Sequence, residues 1–158
     1  MKTLNITIGV LIFLVLTTSC KGFSNQFFEM LLNTKDVNVE LEFSNKSMFD
    51  FEGVTFEIYK IEKPDEIKKN ITNVVLSDKI YNRYNEFKWN KCSEQTLKKI
   101  QVFIDGINEI DCKEKTMFLD ELNDEFYYTI ISDYLKRERL FLFSEKTSHI
   151  YYVSSYEV

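Results

Sequence analysis

Cys92 and Cys112 are the two thiols that follow the first twenty residues of the chain. A helix over residues 94–105 would carry the chain about 18 Å away from Cys92. Residues 106–112, if extended, span about 23 Å and could bring Cys112 back to it. A disulfide is therefore one prediction, and two unpaired thiols are the alternative that the spacing leaves open.

His149 is the only histidine. Together with Cys92 and Cys112 it makes up the few nitrogen and sulfur side chains that could bind zinc. Structural zinc sites take four ligands, usually with paired Cys-x-x-Cys spacing, and the sequence offers neither. A Ser-His-Asp or Cys-His mechanism would also depend on this one imidazole. We expect no metal, no cofactor and an ordinary exposed histidine at the start of a strand.

Four carboxylates, Asp120, Glu121, Asp124 and Glu125, lie close together in the sequence. Glycosidases use paired carboxylates as acid and base, so this cluster defines one alternative, a small hydrolase that acts on a glycan. Such pairs usually come from separate elements that line a cleft, whereas these four fit the solvated end of one helix. The solvated end is the favoured interpretation, and no catalytic residue is predicted.

Six tyrosines near the C-terminus could form a surface that binds a sugar or a partner protein. They are Tyr127, Tyr128, Tyr134, Tyr151, Tyr152 and Tyr156. Alternation along strands would place about half of them in the core. The chain has only four glycines and no phosphate-binding loop, so a nucleotide enzyme is not expected.

The charge balance of the chain is acidic, with 20 Lys and Arg residues against 25 Asp and Glu residues. Nucleic-acid binding proteins need a basic surface to displace counterions, and Glu138 interrupts the one basic cluster, Lys136, Arg137 and Arg139. We therefore expect no nucleic-acid partner. If charge selects a partner, that partner is a basic protein.

Residues 1–19 form a three-part pattern: one basic residue, Lys2, an apolar run over residues 6–16, and the small polar residues Thr17, Thr18 and Ser19. The apolar run is roughly 16 Å long as a helix, whereas a transmembrane helix needs about twenty residues. The pattern is typical of a cleaved export signal, and it leads directly into Cys20.

Small residues before a cysteine resemble the lipobox of bacterial lipoproteins, although Thr17 stands where leucine is usual. The resemblance covers the first twenty residues, and it implies that Cys20 is diacylated and becomes the mature N-terminus. Several acyl chains would hold the protein on a membrane. An ordinary secretory leader with a freely secreted product is the alternative.

The residue after Cys20 bears on the compartment. An aspartate there would resemble the inner-membrane retention signal, and Lys21 stands in its place, which favours the outer membrane with the domain facing the periplasm. Export would also deliver Cys92 and Cys112 to an oxidising compartment, where a disulfide can form.

The rest of the chain, residues 20–158, shows no linker or repeat and predicts a single globular domain. Strands are predicted at residues 37–43, 54–61, 126–132, 140–144 and 150–156, the last three as a meander. Helices are predicted at residues 22–32, from Pro64 to Val75, from Ser93 to a stop at Gly106, and at residues 116–122. Residues 81–89 are ambiguous.

These elements predict an α+β fold in which an antiparallel sheet of about five strands is packed by two or three helices. The predicted function is a non-catalytic envelope lipoprotein that binds a protein or a ligand, with an immunity or inhibitor protein as its sharper form. The alternatives are a small hydrolase that uses the carboxylate cluster on envelope polymers, and a structural accessory of an envelope assembly. The sequence does not determine the oligomeric state.

Overall fold

The computed structural model describes residues 22–45, 53–62, 65, 67, 71, 88–132 and 138–156. Within them, alternating and continuous apolar segments form six strands, all paired antiparallel. The strands are β1 (Val39–Asn45), β2 (Gly53–Ile61), β3 (Asn90–Lys91), β4 (Phe126–Ser132), β5 (Glu138–Ser144) and β6 (His149–Tyr156). Their order in the sheet is β1-β2-β6-β5-β4-β3.

The α+β fold and the C-terminal meander are confirmed, because β4, β5 and β6 are neighbours in that order. The sheet has six strands where about five were predicted. The additional strand, β3, is only two residues long, too short to produce a period in the sequence. It is an edge strand that pairs Asn90 with Tyr128 and Lys91 with Tyr127.

A bulge in β1 changes which side of the sheet its side chains face. Leu41 pairs with Tyr59 and Phe43 pairs with Ile58, so Glu42 is the extra residue. Leu41 consequently packs on one face of the sheet and Phe43 on the other. A strict alternation from residue 37 to 43, as predicted from the sequence, would have kept both on the same face.

Helix α1 (Asn25–Leu32) confirms the predicted N-terminal helix and its cap. The Ser24 hydroxyl accepts a hydrogen bond from the Phe27 backbone N–H, which would otherwise lack a partner in the first turn. Asn33 ends the helix in the left-handed conformation that asparagine tolerates. Phe27 and Phe28 point into the core.

Helices α2 (Glu94–Lys99), α3 (Gln101–Glu109) and α4 (Lys115–Glu121) follow β3. The single helix predicted from Ser93 to Gly106 is wrong in two respects. The helix breaks at Ile100, and Gly106 lies inside α3. A Cβ on Gly106 would come within 2.8 Å of Val54 Cγ2, so this glycine allows the helix to approach the sheet closely.

Helices cover both faces of the sheet. The first face, under α1, carries a largely aromatic core: Phe27, Phe28, Tyr59, Trp89, Phe141, Phe143 and Tyr152 with Leu31, Leu32, Val37, Ile61, Ile67, Ile71, Ile131 and Ile150. The second face, under α2–α4, carries Phe56, Ile58, Ile100, Phe103, Ile107, Ile110, Phe118, Phe126, Tyr128, Leu140, Leu142, Tyr151 and Val153. Central strands with both faces covered become continuous apolar runs, as in residues 140–143 of β5.

Several predicted segments lie outside the described residues. They are the leader with Cys20, most of the Pro64–Val75 helix, and residues 81–87. Of the Pro64–Val75 segment, Asp65, Ile67 and Ile71 are described and are helical, and both isoleucines are buried. In the part of the chain that is described, no helix is both long enough and apolar enough to cross a membrane.

Candidate functional site

A shallow, open depression of about 400 Å³ lies at one end of the sheet. Among the described residues, its lining side chains are Asp65, Asp124, Glu125, Glu145 and Lys146. Two connections supply four of them: the turn between α4 and β4, and the turn between β5 and β6. We call this feature the acidic depression, because its described lining residues are four carboxylates and one ammonium group.

Local hydrogen bonds stabilise the first of these turns, and a left-handed residue closes the second. After α4, the backbone N–H of Asn123 donates to the Asp120 carbonyl at 3.1 Å, and that of Asp124 donates to the Glu121 carbonyl at 3.0 Å. In the second turn, Ser148 takes a left-handed conformation with φ of 61°. A serine there accepts a small backbone strain to close a hairpin that contains no glycine.

Ion pairs link the depression to its surroundings. Lys146 Nζ lies 2.6 Å from Asp124 Oδ2, and this hydrogen bond is the largest cause that raises the pKa of Lys146. The charges of Asp124, Glu121 and Asp120 raise that pKa further. Lys91 pairs with Glu125 at 2.9 Å. All four paired side chains are substantially exposed, so these pairs contribute little to stability and can rearrange.

The four predicted carboxylates do not converge on one cavity. Asp124 and Glu125 line the depression, Asp120 is exposed, and Glu121 is only 4% exposed and points into the core of the second face. Asp65 and Glu145 were not predicted from the sequence, and the fold brings them to the same place from distant positions. No local pattern could have found them, because the sheet alone makes them neighbours.

A buried polar cluster lies behind the depression, on the second face. It comprises Glu121, Thr147, His149 and Tyr151: the Tyr151 hydroxyl interacts with Thr147 and Glu121, and the Tyr151 ring centroid lies 6.0 Å from that of His149. Burial is the main cause that raises the pKa of Tyr151; the Thr147 hydroxyl lowers it and the Glu121 carboxylate raises it. Within the described residues, one buried polar atom of each member makes no hydrogen bond of good geometry: Glu121 Oε2, Thr147 Oγ1, His149 Nδ1 and Tyr151 OH.

His149 differs from its prediction, since it is 8% exposed rather than an ordinary surface residue. Its Nε2 lies 2.9 Å from Oε2 of Glu42, the extra residue of the β1 bulge. Glu42 also lies 3.6 Å from the Lys60 ammonium. The bulge therefore supplies the carboxylate that pairs with His149. No pattern in the sequence predicted this pairing.

The predicted tyrosine surface is wrong for three of its six members. Tyr128, Tyr151 and Tyr152 are at most 6% exposed and belong to the cores of both faces. Tyr127 is half-buried and its ring stacks near Phe143. Tyr134 and the side chain of Tyr156 lie outside the described residues. The core takes these rings because helices cover both faces of the sheet.

Cys92 and Cys112 are both free thiols in this structure, and their pairing in an oxidising compartment stays a prediction. Both are half-buried and pack against the core of the second face. Burial raises the pKa of Cys92, which makes its thiolate less accessible.

Among the described residues, no group of three or more His, Cys, Asp or Glu side chains is arranged to hold a metal ion. Comparison of the chain with protein-family models, with curated proteins and with solved structures finds no match.

Proposed function

We propose that the chain is a cell-envelope lipoprotein, anchored through Cys20, that works by binding a basic protein at the acidic depression. In its sharper form it neutralises that partner, as an inhibitor or immunity protein does. The observation that carries the proposal is the depression itself, whose described lining residues are four carboxylates and one lysine at an exposed end of the sheet. A basic partner would complement its charge.

The exposure of the ion pairs supports binding. Lys146–Asp124 and Lys91–Glu125 are surface pairs, so a partner's arginine or lysine can replace either cation at little cost in stability. Clustered charge of one sign also accelerates the encounter with a partner of the opposite sign. An open depression suits a protein surface better than a small substrate, which is usually enclosed.

Hydrolysis by the predicted carboxylates receives less support. Paired glycosidase carboxylates face one another across a cleft, whereas Glu121 is buried and Asp124 already bonds to Lys146. We therefore propose a non-catalytic role for these side chains.

Attachment through Cys20 can be tested directly. We expect the wild-type protein to fractionate with membranes, facing the periplasm, and Cys20→Ala to move to the soluble fraction. An unacylated, soluble wild-type protein would support simple secretion instead.

The binding proposal calls for a matched pair of triple variants. Asp124→Asn, Glu125→Gln and Glu145→Gln together neutralise the depression, while Asp105→Asn, Glu109→Gln and Asp111→Asn neutralise exposed carboxylates at or just after α3. The tethered wild type and both variants are used to capture proteins from the native envelope.

We expect one basic protein to be captured by the wild type and the α3 variant, and lost from the depression variant. Its capture should weaken as salt rises, because salt screens exposed charges. Equal capture by all three proteins would refute binding at the depression.

A further inference from the structure

The first described residues of the chain are packed into the core of the first face. The Phe23 ring contacts five other aromatic rings, with centroid distances from 4.4 Å to Phe27 up to 6.2 Å to Tyr59. Tyr152 and Phe141, at 4.8 and 5.5 Å, place it over the middle of β6 and β5. The chain is thus held to the sheet before α1 begins.

Backbone contacts hold the same segment. The Phe23 N–H donates to the Tyr59 hydroxyl at 3.1 Å, and that hydroxyl donates to Glu57, which also accepts from the Ser44 hydroxyl at 3.2 Å. Glu57 and Tyr59 are each 1% exposed. A Cβ on Gly22 would come within 2.6 Å of the Tyr59 hydroxyl oxygen, so Gly22 also lies directly against the sheet. A buried, fully bonded chain of groups is rigid.

This docking leaves almost no free tether. Three residues span at most about 11 Å, so an acylated Cys20 lies within that distance of Phe23. We propose that the mature domain rests directly on the phospholipid surface, in one orientation, with the N-terminal turn of α1 against the headgroups. This inference rests on the proposed lipidation of Cys20.

The surface beside Phe23 suits this contact. Ser24, Asn25 and Gln26 are exposed and uncharged, and the first turn of α1 contains no acidic residue. Anionic headgroups therefore meet no opposing carboxylate in that turn. The second face, with α2–α4, lies on the far side of the sheet from Phe23 and faces away from the bilayer. The acidic depression lies at the end of the sheet, where a partner in the compartment can reach it.

Trp89 is the only tryptophan, and it lies in the core of the first face, so it reports on this contact. The acylated full-length protein is reconstituted into phosphatidylethanolamine–phosphatidylglycerol vesicles that contain dansyl-labelled headgroups. Energy transfer from Trp89 is compared with that of a variant carrying twelve Gly and Ser residues between Lys21 and Gly22. Such an insertion adds a mean reach of about 20 Å.

We expect the insertion to reduce energy transfer at least twofold. Equal transfer in the two proteins, both above Cys20→Ala, would show that the anchor holds but that the domain is not docked on the bilayer. Equal transfer in wild type and Cys20→Ala would instead refute the lipidation itself. The two failures are therefore distinguishable.

A second reporter tests the orientation. Met117 lies on α4, on the second face, and is 39% exposed, so it tolerates a larger ring. In a Trp89→Phe background, Met117→Trp should transfer less energy to the headgroups than Trp89 does. Equal or greater transfer from position 117 would overturn the proposed orientation.

Discussion

Two buried tyrosine–carboxylate pairs, one on each face of the sheet, differ in their hydrogen bonding. On the first face, the Tyr59 hydroxyl bonds both to Phe23 and to Glu57, and Glu57 accepts a second bond from Ser44. On the second face, Tyr151 and Glu121 are equally buried, yet the Tyr151 hydroxyl and Glu121 Oε2 have no well-formed hydrogen bond among the described residues.

The difference should change what each of these polar groups contributes to the free energy of unfolding. A buried polar atom without a partner costs about 1–3 kcal/mol, whereas a bonded one is nearly neutral or favourable. Glu121 and Thr147 belong to the segments that carry the acidic depression.

The largest expected effect is that of Tyr59→Phe, compared with Tyr151→Phe. Loss of the Tyr59 hydroxyl removes a donor from buried Glu57 and an acceptor from Phe23, so the free energy of unfolding should fall by about 2–3 kcal/mol. Tyr151→Phe should change it by less than about 0.5 kcal/mol, because no well-formed bond is lost. Urea unfolding of both variants measures the difference, and equal losses would contradict the contrast.

High pH should destabilise both faces. Burial is the main cause that raises the pKa of Tyr59 and Tyr151 above the ordinary value of 10.0. The unfolded chain therefore loses these protons first, so stability is complete below pH 10 and falls above it. Each tyrosine contributes up to about 1.4 kcal/mol per pH unit.

The measurement is the free energy of unfolding between about pH 9 and pH 11. In either Tyr→Phe variant, the free energy of unfolding should fall less steeply with pH than in the wild type. The difference in slope should correspond to about one proton. Identical slopes in all three proteins would refute this origin of the alkaline instability.

Glu57→Gln and Glu121→Gln should have contrasting effects on the free energy of unfolding. Glu57 accepts two hydroxyl hydrogen bonds, so its neutralisation should cost about 1–2 kcal/mol. Glu121 is a buried carboxylate with an unbonded oxygen, so its neutralisation should be neutral or stabilise by about 1 kcal/mol. Chemical unfolding of the pair tests this, and destabilisation by both would show that Glu121 has a structural role.

The smallest expected effects come from two glycines that face the two sides of the sheet. Gly22→Ala would press on the Tyr59 hydroxyl, which two hydrogen bonds hold in place, and should cost about 1 kcal/mol. Gly106→Ala presses only on a Val54 methyl and gains about 1 kcal/mol of helix propensity, so its net cost should be smaller.

Thermal unfolding of both variants, with Gly106→Ala also combined with Val54→Ala, checks the prediction. In the double variant the Val54 methyl is gone, so the steric contact with the new Cβ at position 106 should cause no loss of stability. A larger loss at Gly106 than at Gly22 would mean that the second face is the more rigid of the two.

Most of the local structure could be predicted from the sequence. Ser24 with its apolar stripe determined α1, and the runs at residues 126–132, 140–144 and 150–156 determined the meander, because periodicity and capping act over a few residues. The lipobox resemblance at Cys20 likewise depends only on adjacent residues, and anchoring remains a prediction.

Only the tertiary structure determined the features that depend on contacts between distant elements. Covering both faces with helices buried Tyr128, Tyr151 and Tyr152, and the bulge at Glu42 brought a carboxylate to His149. The depression gathers Asp65 and Glu145 from positions eighty residues apart. A sequence records the period of each element, but the pairing of distant strands and the layer that covers each face depend on the packing of the whole chain.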